Sequence, residues 1–154
     1  MRNIFLKRLS FLVLALGIHS LAVANTPTTQ DEVFIATKLK AESGDVAAQG
    51  NLGTLYATGS GTEQDYVKAR EWYEKSAAQG DATAQNELGP LYESGAGVPR
   101  DYVKAREWYE KAAAQGNAAA QNNLGVLYAS GDGVPRDYVK AREWYEKAAA
   151  QGYA

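Results

Sequence analysis

The chain has 154 residues, with 16 Lys and Arg against 18 Asp and Glu, one His and no Cys. Three of the positive charges, Arg2, Lys7 and Arg8, fall in the first eight residues, so 13 remain against 18 carboxylates, a net charge of −5 over the rest; this argues against nucleic-acid binding, which needs a cationic excess to release counterions. Because His19 is the only histidine, the remainder lacks the imidazole and thiol groups for a zinc site, a Cys nucleophile or a Ser-His-Asp relay.

In chain order, a basic stretch from Met1 to Arg8 precedes an apolar run, Leu9 to Ile18, broken only by Ser10 and Gly17. Ala22-Val23-Ala24 then has the small-x-small form, and the three parts together predict a secretory signal over 1–24, cut after Ala24. From Leu9 to Ala24 there are 16 residues, His19 among them, whereas a spanning helix needs about 20 apolar residues. The expectation is therefore an exported chain, in the periplasm or secreted, with no stable membrane insertion. Lacking Cys, it depends on packing alone for its stability. Asn25 to Gln30, with three Thr and one Pro, reads as a mobile tail. Asp31 to Ser43 reads as a lone capping helix that completes 25–44.

The segment from Asp65 to Lys75 recurs from Asp101 and again from Asp137, a spacing of 36 residues. This period divides the chain into units 45–80, 81–116 and 117–152. A repeat of this length is the mark of a solenoid. Within a unit, Ala48, Leu52, Leu55 and Tyr56 stand at i, i+4, i+7 and i+8, one face of a helix. Asp45, Asp81 and Asn117 are suited to cap that first helix, and Gly59, Gly95 and Gly131 to end it. A second helix opens at Asp65, Asp101 or Asp137 and carries the stripe Ala69, Trp72, Tyr73, Ser76 and Ala77. Glu71 and Lys75 are spaced to form an outward ion pair. No stretch alternates with period two, so the predicted class is all-α: an α/α solenoid of antiparallel helix pairs.

Trp72, Trp108 and Trp144, with Tyr73, Tyr109 and Tyr145, occupy equivalent core positions. A largely buried Trp removes about 150–250 Å² from water, roughly 4–6 kcal/mol before entropy at about 25 cal/mol per Å². Small residues at Gly53, Ala69 and Ala77 and their copies are expected to let the helices approach closely. Pro90 stands where Thr54 and Val126 stand in the other units, and predicts a kink.

Leu124-Gly125-Val126-Leu127-Tyr128, then Gly131-Asp132-Gly133-Val134, Asp137, Lys140-Ala141, Trp144-Tyr145 and Lys147-Ala148-Ala149 resemble the Sel1-like repeat, a relative of the tetratricopeptide repeat. The resemblance covers Asp45 to Gly152 in three registers. It implies an α/α superhelix serving as an interaction scaffold, with bacterial members often exported. Besides Pro90, Thr62-Glu63-Gln64 departs from the Val-Pro-Arg of the later loops. Some exported relatives have been described as binding or hydrolysing β-lactams, which keeps an enzyme alternative open. Against it, no Ser is followed three residues on by Lys, no Lys-Thr-Gly occurs, and the paired Cys of those relatives are missing. The repeated Glu71, Glu107 and Glu143 share one setting, whereas acid–base work needs unlike settings. Gly59-Ser60-Gly61 and its copies are too short for a phosphate loop. The reading is non-catalytic, with no cofactor and no metal.

The units differ mainly on their first helices: Asn51, Glu87 and Asn123; Thr54, Pro90 and Val126; Ala57, Glu93 and Ala129. First helices usually line the concave binding face of a solenoid. The predicted binding surface is thus an acidic and amide-lined groove of Asn51, Thr54, Glu87, Pro90, Glu93, Asn123 and Val126, for a segment of a partner protein. A purely structural envelope role is the other alternative. Beyond the last second helix, Trp144, Tyr145 and Ala148 have no following helix in sequence to cover them. That predicts self-association through the C-terminal end, or a longer array.

Overall fold

The computed structural model describes residues 29–153, which form seven helices and, among these residues, no strand. In chain order they are α1 Thr29–Glu42, α2 Val46–Thr58, α3 Tyr66–Ala78, α4 Ala82–Ser94, α5 Tyr102–Ala114, α6 Ala118–Ser130 and α7 Tyr138–Ala149. The expected leader, 1–24, and residues 25–28 of the expected tail lie outside the described residues. Thr29 and Gln30, assigned to that tail, are instead the first turn of α1, which places Asp31 and Glu32 near its positive end.

Local chemistry accounts for each boundary. The carboxylate of Asp45 accepts from the Ala48 amide at 2.7 Å, and that of Asp65 from the Lys68 amide at 3.0 Å. Asp81, Asp101, Asn117 and Asp137 do the same for α4 to α7. The first helices end on Gly59, Gly95 and Gly131, each left-handed with φ between 72° and 85°. The principal contacts join helices that are neighbours in sequence, α1 with α2 through α6 with α7. That one-dimensional pattern makes the molecule a helical solenoid.

Close approach within a pair depends on glycine. A Cβ at Gly53 would lie 2.6 Å from the Tyr73 ring, and one at Gly89 would overlap the Tyr109 ring. Between pairs, Gly97, with φ +71°, lays its backbone against Tyr66 at the start of α3, and Gly133 against Tyr102 at the start of α5. The Gly-x-Gly turns are therefore also joints between units.

The core is built around tyrosine more than tryptophan. Tyr73 and Tyr109 are 3% and 1% exposed, among Leu52, Leu88, Leu124 and small Ala residues. Trp72, Trp108 and Trp144 are half-buried at its margin, with Trp108 against both halves of the core. Their open faces are covered by cations: the ammonium groups of Lys75, Lys111 and Lys147 stand 3.7, 4.1 and 4.0 Å from the Trp72, Trp108 and Trp144 rings. This corrects the expected Glu71–Lys75 pair. Lys75 lies over the indole one turn back, and the ion pair on α3 is Arg70 with Glu74 at 3.1 Å. Tyr145, expected in the core with its copies, is 36% exposed, whereas Ala148, expected to lie uncovered, is buried. Pro90 is exposed and leaves α4 helical over the same 13 residues as α2 and α6.

Candidate functional site

The first helices are tied to the frame by a glutamine relay that periodicity does not reveal. Gln49, Gln85 and Gln121 are polar yet buried. Gln49 donates to the Ala41 carbonyl of the preceding helix at 3.3 Å and accepts from Gln79 at 2.7 Å. Gln85 repeats this with Ala77 and Gln115 at 3.2 and 2.8 Å, and Gln121 with Ala113 and Gln151 at 3.5 and 2.9 Å. The amides satisfy one another and orient each first helix against two neighbours. The sequence signal was present, since Gln recurs at all six positions.

On that frame, Asn51, Thr54 and Glu87 come together. With Tyr73 they line a recess of about 230 Å³ between the first two units. Tyr73 sits at its floor and donates its hydroxyl proton to the Thr54 hydroxyl at 3.1 Å, which faces the Gly50 carbonyl at 3.3 Å. Burial pushes the Tyr73 pKa up; the Thr54 hydrogen bond opposes the rise and the Glu87 carboxylate adds to it. Asn123 is drawn into a chain across units, donating to Asn86 at 3.1 Å, which in turn donates to Glu87 at 3.2 Å.

Glu93 is turned to another task. Half-buried, it accepts a hydrogen bond from the buried Tyr109 hydroxyl. Burial raises the Glu93 pKa above the usual carboxylate range; the Tyr109 bond lowers it and the charge of Asp132 raises it further. Burial likewise drives the Tyr109 pKa far up, with Glu93 adding to it. Pro90 and Val126 are exposed, Val126 by 47%, and do not line the recess; Ala57 and Ala129 are half-buried. Among the described residues no three His, Cys, Asp or Glu side chains converge as metal ligands would, and no helix is long and apolar enough to cross a membrane.

Comparison with known proteins places this arrangement. The Sel1 repeat model matches residues 46–81, 82–117 and 118–153. No curated protein matches the chain. Among solved structures, it is similar to a protective antigen of uropathogenic Escherichia coli strains that displays an SLR fold, at 46% identity and a TM-score of 0.73 over 75% of this chain and 25% of that one. A Sel1 repeat protein from Oxalobacter formigenes is 36% identical with a TM-score of 0.76, over 80% of this chain and 50% of that one. The cysteine rich protein B of Helicobacter pylori is 25% identical with a TM-score of 0.61, over 78% of this chain and 91% of that one. The chain thus spans a quarter and a half of the first two. Sel1 repeats are generally scaffolds for protein–protein interaction. Three consecutive matches, on a solenoid of the same helix pairs, make the chain a member of the Sel1 repeat family.

Proposed function

We propose that this protein is an exported, non-catalytic scaffold that holds an extended segment of a partner protein on the exposed face of its first helices. The observation that carries the reading is the recess of Asn51, Thr54 and Glu87, because residues from two repeat positions at which the units differ meet there. Its lining carries the carboxylates of Asp81 and Glu87, the Asn51 amide and a tyrosine floor, suited to the backbone and a cationic side chain of a bound strand. Export rests on the leader ending at Ala24, with the periplasm or the exterior as destination. We also propose that α7 supports self-association.

The test is affinity capture from envelope extract followed by mass spectrometry, with wild type and Glu87→Lys. Glu87 suits the substitution better than Glu93, which is bound to Tyr109. The expected outcome is loss of the captured partner with an unchanged circular dichroism spectrum. An unchanged set of captured proteins discards the groove.

A further inference from the structure

The loop departure at Thr62-Glu63-Gln64 has a structural counterpart. At the junction of the second unit with the first, Arg70 of α3, Tyr92 of α4, Arg100 of the loop and Lys104 of α5 surround a recess of about 350 Å³. It shares no residue with the groove of the first helices. Pockets for small ligands or single anchoring side chains begin at roughly this size. Arg70 is neutralised by Glu74, both of whose oxygens lie 3.1 Å from Nη1, while its Nε has neither a hydrogen-bond partner nor access to solvent. Lys104 lies 5.5 Å from the centre of the Tyr92 ring, and Arg100 5.8 Å from that of Tyr102. Among the described residues, neither has a carboxylate within ion-pair distance.

The same elements return one unit later. Arg106 Nε again makes no hydrogen bond, and Lys140 lies 5.4 Å from the Tyr128 ring. Arg136 is anchored on the Ser130 carbonyl at 3.2 and 3.0 Å through Nε and Nη2, which leaves Nη1. The first junction is different. Phe34 stands where Arg70 and Arg106 stand and packs edge-on against Tyr56, Gln64 replaces the loop Arg, and Lys68 is paired with Asp65 at 3.1 Å. Cations without a carboxylate at ion-pair distance thus recur at two successive junctions, Arg100 with Lys104 and Arg136 with Lys140, in a chain whose residues beyond the expected leader are net acidic.

We propose that these two junctions bind an acidic peptide segment, one carboxylate side chain in the recess beside Arg100 and Lys104 and a second against Arg136 and Lys140. Charge decides the class of anion. With Arg70 offset by Glu74, Arg100 and Lys104 face Asp101, leaving one positive charge in excess. That matches a carboxylate and leaves a phosphate dianion undercompensated. Tyr92, Val98 and Pro99 supply an apolar wall for the methylene groups behind the carboxylate.

The experiment titrates the full mature chain with a short labelled Glu-Ser peptide and with its Gln-Ser counterpart, at low salt, by fluorescence anisotropy. Only the Glu-Ser peptide should bind, more weakly as salt rises. Arg100→Gln and Arg136→Gln, which install the residue already present at Gln64, should each weaken binding about tenfold with the melting curve retained. Gln64→Arg should tighten it, a gain that no folding defect can imitate. Equal binding of both peptides, absence of binding, indifference to Arg100→Gln and Arg136→Gln, or competition by inorganic phosphate as effective as that of free Glu-Ser peptide would each overturn the proposal. The recess and the groove stand on different residues, so the two readings fail separately.

Discussion

At the scale of single residues, the copies explain one another. Ser76 is the one difference among three otherwise identical second-helix segments, and Asp81 becomes Asn117 a unit later. The Ser76 hydroxyl stands 2.8 Å from the Val46 carbonyl and 2.7 Å from the Asp81 carboxylate, a donor between two acceptors. In the next unit Ala112 has no hydroxyl, and the Asn117 amide itself donates to the Ala82 carbonyl at 3.5 Å. Ser76→Ala alone should therefore cost about 1–2 kcal/mol by leaving the acceptors facing each other. Adding Asp81→Asn should recover most of that loss, because the amide supplies the missing donor. A double-mutant cycle by urea unfolding measures the coupling. Strict additivity would show that the two positions do not act together.

Glu93 carries the clearest pH dependence. Its pKa in the folded chain is raised, chiefly by burial, with Asp132 adding to the rise and Tyr109 opposing it. The folded state therefore holds the proton more tightly than the unfolded state. The stabilisation associated with the protonated form is fully present below the ordinary Glu value and is lost as pH rises through the folded value. Glu93→Gln keeps an acceptor for Tyr109 without the charge. It should raise the melting temperature at neutral pH and lose that advantage near pH 4, an expectation set by the usual Glu pKa of about 4.3. Melting curves across the acid range read the difference. An advantage independent of pH would refute the charge argument.

Among the elements, α4 carries an avoidable cost. Pro90 has no amide proton for the carbonyl of Asn86, and an interior proline costs roughly 3 kcal/mol. Pro90→Val copies the residue at Val126 and should raise the melting temperature by about 5 °C or more. An unchanged or lower value would mean that the proline is matched to its site. The second helices show how far pattern reaches at this scale. Their stripe and caps were legible because both follow from a 3.6-residue period and from Asp at the helix start. The partner of Lys75 was not. Spacing allowed Glu71, but the half-buried indole one turn back competes for the cation, and the structure places Lys75 over Trp72. Trp and Tyr, both expected in the core, were likewise not told apart by spacing. Glycine opposite Tyr73 and Tyr109 admits those rings to the interior, whereas each larger indole stays at the margin.

For the whole molecule, α7 repeats the sequence of α5 in a different environment. Tyr109 is 1% exposed and Tyr145 36%, with Tyr138 and Val139 still more open. Ala148 is nevertheless buried, so the open residues are Tyr138, Val139 and Tyr145. Large exposed apolar patches mark interfaces, and the chain is expected to self-associate through this end. Light scattering on size-exclusion peaks over a wide concentration range should show mass rising with concentration, and Tyr145→Lys should abolish the rise. A monomer at every concentration would sink the idea.

The repeat period, the two helices of each unit, their caps and the solenoid class were determined by the sequence alone. They depend on local periodicity and on side chains that bond backbone within three residues. Which first-helix residues meet was decided only by the stacking of units: Asn51 and Thr54 share a recess with Glu87 of the next unit, while Glu93 turns away to Tyr109. The same holds for the glutamine relay and for the cationic recess, whose members come from elements some thirty residues apart. Position along a helix specifies the face a residue occupies, but the partner across the interface is set by how each unit stacks on the last, where the Gly97 and Gly133 turns pack against the preceding unit.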